Sequence, residues 1–167
     1  MRSLLTALLL LATTLTYAGA GDFLKATING KPYELKDDNL SVFYEAGGSA
    51  FVQHPYYLLS AADPEISQRL QLAFTLPVGT ALKAGKYKFP NAFESMTAEP
   101  PYAQVHLDEG ESATAINWTL DDAAEGEIVI TSIKGKVVEG TFRAKLHATD
   151  QQDARTVASG TFRFTME

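Results

Sequence analysis

Apolar and polar residues alternate with a period of two through most of the chain beyond residue 20. Phe23-Leu24-Lys25-Ala26-Thr27-Ile28 runs into Asn29-Gly30 and then Lys31-Pro32-Tyr33-Glu34-Leu35. Such alternation marks strands with one buried face. Asn-Gly between two of them predicts a type I′ hairpin, whose central residues both need positive φ. Pro32 has no N–H to give to a ladder, so its strand is expected at a sheet edge or with its free side outward. Leu40 to Glu45 and Ser49 to Gln53 flank Gly47-Gly48, which predicts a second hairpin. Leu70, Leu72, Phe74 and Leu76 then share one face of a half-buried strand, and Tyr87 and Phe89 mark a short one after Gly85. Tyr102 to Leu107, Ala115 to Leu120 and Glu127 to Ile133 follow, with Ile116, Trp118 and Leu120 expected in the core.

The end of the chain carries an internal echo. Gly140-Thr141-Phe142-Arg143 recurs as Gly160-Thr161-Phe162-Arg163, with the polar stretch Asp150 to Asp153 between the copies. The simplest arrangement is one hairpin with Phe142, Ala144, Leu146, Phe162, Phe164 and Met166 inward. Arg143, Lys145 and Arg163 then emerge on the outer face, the two arginines expected as near or diagonal neighbours across the strands. Helix is scarce. Asp63-Pro64-Glu65 could open one or two turns, with Asp63 as cap and Pro64 at the first helical position. About ten short antiparallel strands predict an all-β antiparallel sandwich, with a closed up-and-down β-barrel as the alternative.

Residues 1–20 break the alternation. Arg2 is followed by the apolar run Leu4 to Leu11, and the segment closes on Ala18-Gly19-Ala20. Basic start, apolar middle and small-residue end are the parts of a secretory signal peptide, so cleavage is expected between Ala20 and Gly21. The run fades into Thr13, Thr14 and Thr16, which is too short for a membrane span of about 20 apolar residues. Residues 21–167 then form a single β domain, with Phe89 to Pro101 as a long internal loop and no membrane span. The chain has no cysteine, which excludes disulfides and lipidation at a cleavage-site cysteine. A disulfide-free exported domain fits the bacterial periplasm, or release beyond it, better than a eukaryotic secretory route. Asn39-Leu40-Ser41 and Asn117-Trp118-Thr119 match the glycosylation triplet, a pattern common by chance.

Several short motifs recur together. The opening strand and turn read A-x-I-N-G-K from Ala26 to Lys31. A central G-x-x-L-x-x-G-x-Y spans Gly79, Leu82, Gly85 and Tyr87, and a late G-x-I-x-I runs from Gly126 to Ile130 ahead of the paired G-T-F strands. Together they resemble bacterial exported all-β domains of unknown function over most of the chain. The resemblance implies the fold and carries no activity, since a fold does not fix a function.

Charge and candidate chemistry narrow the function. The formal net charge is −6, and loss of Arg2 makes it one unit more negative. That balance disfavours nucleic acid, whose binding rests on cations neutralising phosphates, and anionic lipid. His106 and Asp108 lie two apart on one strand face near Glu109 and Glu111, but no motif with metal-ligand spacing contains them, so they read as a solvated strand end. Asp121-Asp122-Ala123-Ala124-Glu125-Gly126 lacks the alternating pattern of a calcium loop and reads as a solvated turn. No metal or cofactor is implied. There is no nucleophile elbow and no glycine loop leading from a strand into a helix to cradle phosphate. The aromatics Phe43, Tyr44, Phe51, Tyr56 and Tyr57 could form a ligand platform, and Arg143, Lys145 and Arg163 a basic patch for a carboxylate or a sulfated sugar.

The sequence therefore reads as a non-enzymatic periplasmic or secreted binding or interaction module with an unidentified ligand or protein partner. A small exported hydrolase assembled from separate strands is the competing class, and a lipocalin-like carrier of an apolar ligand is the third. Protein recovered from a secreting host should begin at Gly21 by intact mass; a species that retains Met1 on the membrane would overturn the leader assignment.

Overall fold

The computed structural model describes residues 14–17, 21–48, 52–63, 68–90, 98–110, 116–120, 126–148 and 155–166. In chain order the strands are β1 (Thr14–Tyr17), β2 (Phe23–Ile28), β3 (Lys31–Lys36), β4 (Leu40–Glu45), β5 (Tyr56–Asp63), β6 (Gln68–Thr75), β7 (Gly85–Lys88), β8 (Tyr102–Glu109), β9 (Ile116–Leu120), β10 (Gly126–Lys134), β11 (Val137–Ala148) and β12 (Arg155–Thr165). A 3₁₀ turn at Asp37–Asn39 is the only helical element among the described residues. Every pairing is antiparallel.

The hydrogen-bonded path runs β1-β4-β5-β6-β8-β9-β11-β12-β2-β3, with β10 joining β11 to β7. It folds at β9, which pairs β8 through Ile116 to Trp118 and β11 through Trp118 to Leu120. Two sheets result, a front one of β1, β4, β5, β6 and β8 and a back one of β7, β10, β11, β12, β2 and β3. The path does not close, so the fold is an all-β sandwich and not the barrel. The side chains of Ile116, Trp118 and Leu120 lie outside the described residues, and so does their expected burial.

Each sheet sends alternate residues into one core. Leu70, Leu72 and Phe74 of β6, Ala103, Val105 and Leu107 of β8, Ile128 of β10 and Phe164 of β12 are all fully buried. Phe74 reaches across the sandwich. Its ring centroid is 5.9 Å from Phe162, 6.2 Å from Phe164 and 5.6 Å from Tyr87, edge-on to the last at 88°. These are the offset and edge-to-face geometries that the ring quadrupole favours.

The echoed G-T-F strands form the expected hairpin, and their register gives the repeat a physical meaning. Thr141 pairs Thr161 at the centre, so Gly140 lies opposite Phe162 and Phe142 opposite Gly160. A Cβ on Gly140 would collide with the Phe162 ring and the Val129 carbonyl, and one on Gly160 with the β2 backbone at Lys25. Each glycine removes bulk where the strands crowd, and Phe162 covers the space left on β11. The turn itself, including Asp150 to Asp153, lies outside the described residues.

The Asn29-Gly30 turn is as expected, with φ of +49° and +78°, and Pro32 sits on β3 at the end of the path. One expectation is corrected. The hairpin partner of β4 is β5 and not Ser49 to Gln53: Gly47-Gly48 opens a longer loop in which the Gly48 N–H donates to the Val52 carbonyl at 2.9 Å. β5 supplies Leu59 and Ala61 to the core. Asp63 is a strand residue paired with Gln68, which leaves only 64–67 between β5 and β6. Those four residues, where the short helix was expected, lie outside the described set.

The contacts of Phe74 predict the stability of the whole domain. Phe74→Ala and Phe162→Ala should each cost about 3–5 kcal/mol in urea unfolding. The double variant should fall short of the sum by about 0.5–1.5 kcal/mol, the coupling of an aromatic pair; strict additivity would refute the contact.

Candidate functional site

The outer face of the back sheet is built by the same alternation that fills the core. With Phe142, Ala144, Phe162, Phe164, Leu24, Ala26 and Tyr87 inward, the residues between them must face out. Lys86 and Lys88 of β7, Arg143 and Lys145 of β11, Arg163 of β12, Lys25 of β2 and Lys36 of β3 therefore share one surface. Among the described residues their acidic neighbours there are Glu127, Glu139 and Glu34. Seven of the chain's 14 lysines and arginines thus meet three carboxylates on this face among the described residues.

The register corrects one expectation for this face. Arg143 lies opposite Ser159, and Arg163 opposite Glu139. The two arginines are four residues apart along the hairpin, roughly 13 Å, and not cross-strand neighbours. Four hydroxyl residues lie between and beside them: Thr141 pairs Thr161, and Ser159 pairs Thr27. The result is a flat polar platform with Lys25, Arg143 and Arg163 around it.

The carboxylates of this face are already engaged. Glu34 Oε1 holds Lys36 Nζ at 2.7 Å and Lys25 Nζ at 3.2 Å, and their hydrogen bonds pull its carboxyl below the ordinary value. Glu127 stands opposite Arg143 but pairs Lys86 at 2.6 Å. Glu139 meets Arg163 at 3.7 Å, beyond hydrogen-bond reach. Among the described residues Lys88 and Arg143 make no ion pair, and Arg163 Nε has no hydrogen-bond partner. Exposed pairs of this type are screened by solvent, so the face adds little to stability.

Two open depressions flank β7 beside this surface. One, of about 350 Å³, is lined by Leu76, Pro77, Lys83, Lys86 and Tyr87. The other, of about 520 Å³, is lined by Lys88, Phe89, Pro90, Glu99 and Tyr102. Neither lining holds a histidine. The loop between them is shaped by the G-x-x-L-x-x-G-x-Y element: Leu82 is buried, and the Tyr87 hydroxyl accepts from the Lys83 N–H at 3.1 Å and donates to its carbonyl at 3.0 Å. That motif is structural.

The remaining candidates are dispersed. Phe43 and Tyr56 meet on the outer face of the front sheet at 5.8 Å, whereas Tyr44 and Tyr57 meet at 4.7 Å on the opposite side. Tyr56 donates to Glu45 Oε2 at 2.9 Å, and burial with that carboxylate raises its pKa. Phe51 lies outside the described residues. The rings thus form two pairs and not one platform. Asp108 Oδ2 accepts from Arg69 Nε at 2.8 Å and Nη2 at 2.6 Å, and Glu109 from Gln68 at 2.6 Å. No three His, Asp or Glu residues gather as a metal site among the described residues. The loop 121–125, Glu111 and the candidate cleavage residue Ala20 fall outside them.

Sequence reading missed the breadth of the basic face. Lys25, Lys36, Lys86 and Lys88 come from strands far from the G-T-F hairpin, and the available signal was their placement between inward residues. A scan against protein-family models and searches of curated proteins and of solved structures find no match to the chain.

His106 generates a pH prediction. It shares the outer face of β8 with Asp108 and lies opposite Gln71, and burial lowers its pKa below 6.5, with Asp108 partly opposing. The unfolded chain therefore takes up a proton that the folded one resists, so stability present above about pH 6.5 declines as pH falls toward the folded value. The urea midpoint should drop between pH 7.5 and 5.5, and His106→Gln should reduce the drop; an unchanged slope would refute it.

Proposed function

We propose that this chain is an exported, non-enzymatic binding module of the periplasm or cell exterior, and that its working surface is the outer face of the back sheet. The observation that carries the reading is the separation of charge. A chain with a net charge of −6 collects half its lysines and arginines on one sheet face, beside three carboxylates among the described residues. A flat face with hydroxyls between spaced cations suits an extended acidic polymer, such as a sulfated or uronic acid polysaccharide. Cations a few residues apart can follow repeating charges, and Thr and Ser hydroxyls can bond to sugar oxygens. The acidic remainder of the surface would turn such a ligand toward this face. The flanking depressions add apolar wall beside Lys86 and Lys88, and their linings offer no histidine–carboxylate pair of the kind the hydrolase reading requires.

The parent protein should bind a sulfated polysaccharide at low salt and release it as salt shortens the screening length to about 8 Å or less. Lys88→Glu with Arg143→Glu should abolish retention without lowering the melting temperature by more than a few degrees. Equal retention of parent and variant, or none by the parent, would refute the proposal.

A further inference from the structure

The sheets end on strands that differ sharply in how their free edges are guarded. β3 carries Lys31, Pro32 and Lys36, and β7 is four residues long with Lys86 and Lys88. Lysine, proline and shortness are the devices that stop an edge from pairing with another chain. β4, Leu40-Ser41-Val42-Phe43-Tyr44-Glu45, has none of them: it is β-prone, holds no lysine, arginine or proline, and is charged only at its last residue. In the full chain its edge is taken by Thr14–Tyr17, which pairs antiparallel from Tyr44 to Ser41.

We propose that β4 is a strand-pairing edge, covered by the leader before cleavage and taken afterwards by β4 of a second copy. This rests on the reading of residues 1–20 as a cleaved leader. Removing β1 uncovers one side of β4, and among the residues whose burial is described every buried apolar one lies from Leu24 onward. Asp22 anchors the new start independently, accepting from the Thr165 N–H and hydroxyl at 3.0 Å each. The chain from Gly21 therefore keeps that described core and gains one bare edge at β4. A second copy fits that edge by self-complementarity. In an antiparallel pair about a two-fold axis near Val42 and Phe43, the uncharged residues face one another and the two Glu45 carboxylates fall at opposite ends. Tyr44, one of the exposed large hydrophobic residues, would be covered in part.

The test uses the chain expressed directly from Gly21, whose assembly does not depend on processing. Light scattering should give twice the chain mass for it, and the single mass for a chain that keeps residues 13–20 upstream. Ser41→Lys with Phe43→Lys should halve the mass of the Gly21 chain with the strand circular dichroism unchanged. As a check independent of that variant's folding, a synthetic peptide of residues 13–18 should convert the dimer to monomer. A monomeric Gly21 chain would overturn the proposal, including one that binds the peptide and so receives foreign strands. A dimer indifferent to both the lysines and the peptide would overturn it too. Met1 retained in protein from a secreting host would overturn the leader reading alone.

Discussion

The arrangement hangs on Phe74. Among the described residues it is the one ring that touches Tyr87 of β7 and both Phe162 and Phe164 of β12 from the opposite sheet. Because strand side chains alternate, fixing these rings inward fixes the facing of every residue beside them. A slip of one residue in β12 would bring Arg163 into the core and send Phe162 and Phe164 to water. Burial of the aromatic cluster thus sets the outer surface as firmly as the inner one.

The reciprocal Gly and Phe positions of β11 and β12 serve the same constraint. With Gly140 opposite Phe162 and Phe142 opposite Gly160, each phenylalanine of the G-T-F copies is set directly against a glycine. That spacing also pushes Arg143 and Arg163 apart. The hydroxyl platform between them is a consequence of centring the pair on Thr141 and Thr161, so the core and the candidate ligand surface share one register.

Charge on the two sheets is handled differently. On the front sheet Arg69 is held by two hydrogen bonds to Asp108, and Gln68 satisfies Glu109. On the back sheet three carboxylates among the described residues serve a larger set of cations, with Glu34 shared between Lys25 and Lys36. Surface pairs of either kind add little stability. Their distribution matters for the field outside the protein, which is where an acidic ligand would sense it. Tyr33 closes the side of the sandwich near β3, its hydroxyl lying 3.4 Å from the Ala61 carbonyl and 3.3 Å from that of Gln68.

Alternation by itself determined the strand class, the Asn29-Gly30 turn, the edge position of Pro32, the final hairpin and which of Phe142, Arg143, Phe162 and Arg163 face inward or out. These follow from contacts between residues close in sequence, or from a period that any half-buried strand must keep. Only the tertiary structure decided that β4 pairs β5 past a long loop, that Asp63 stays in a strand, and that Arg143 and Arg163 are separated. It alone gathered Lys25, Lys36, Lys86 and Lys88 onto the face of the G-T-F hairpin. The physical reason is that a period of two fixes the side of a sheet but not the neighbouring strand or the offset, and those are chosen by the packing of rings such as Phe74 against Phe162 across the core.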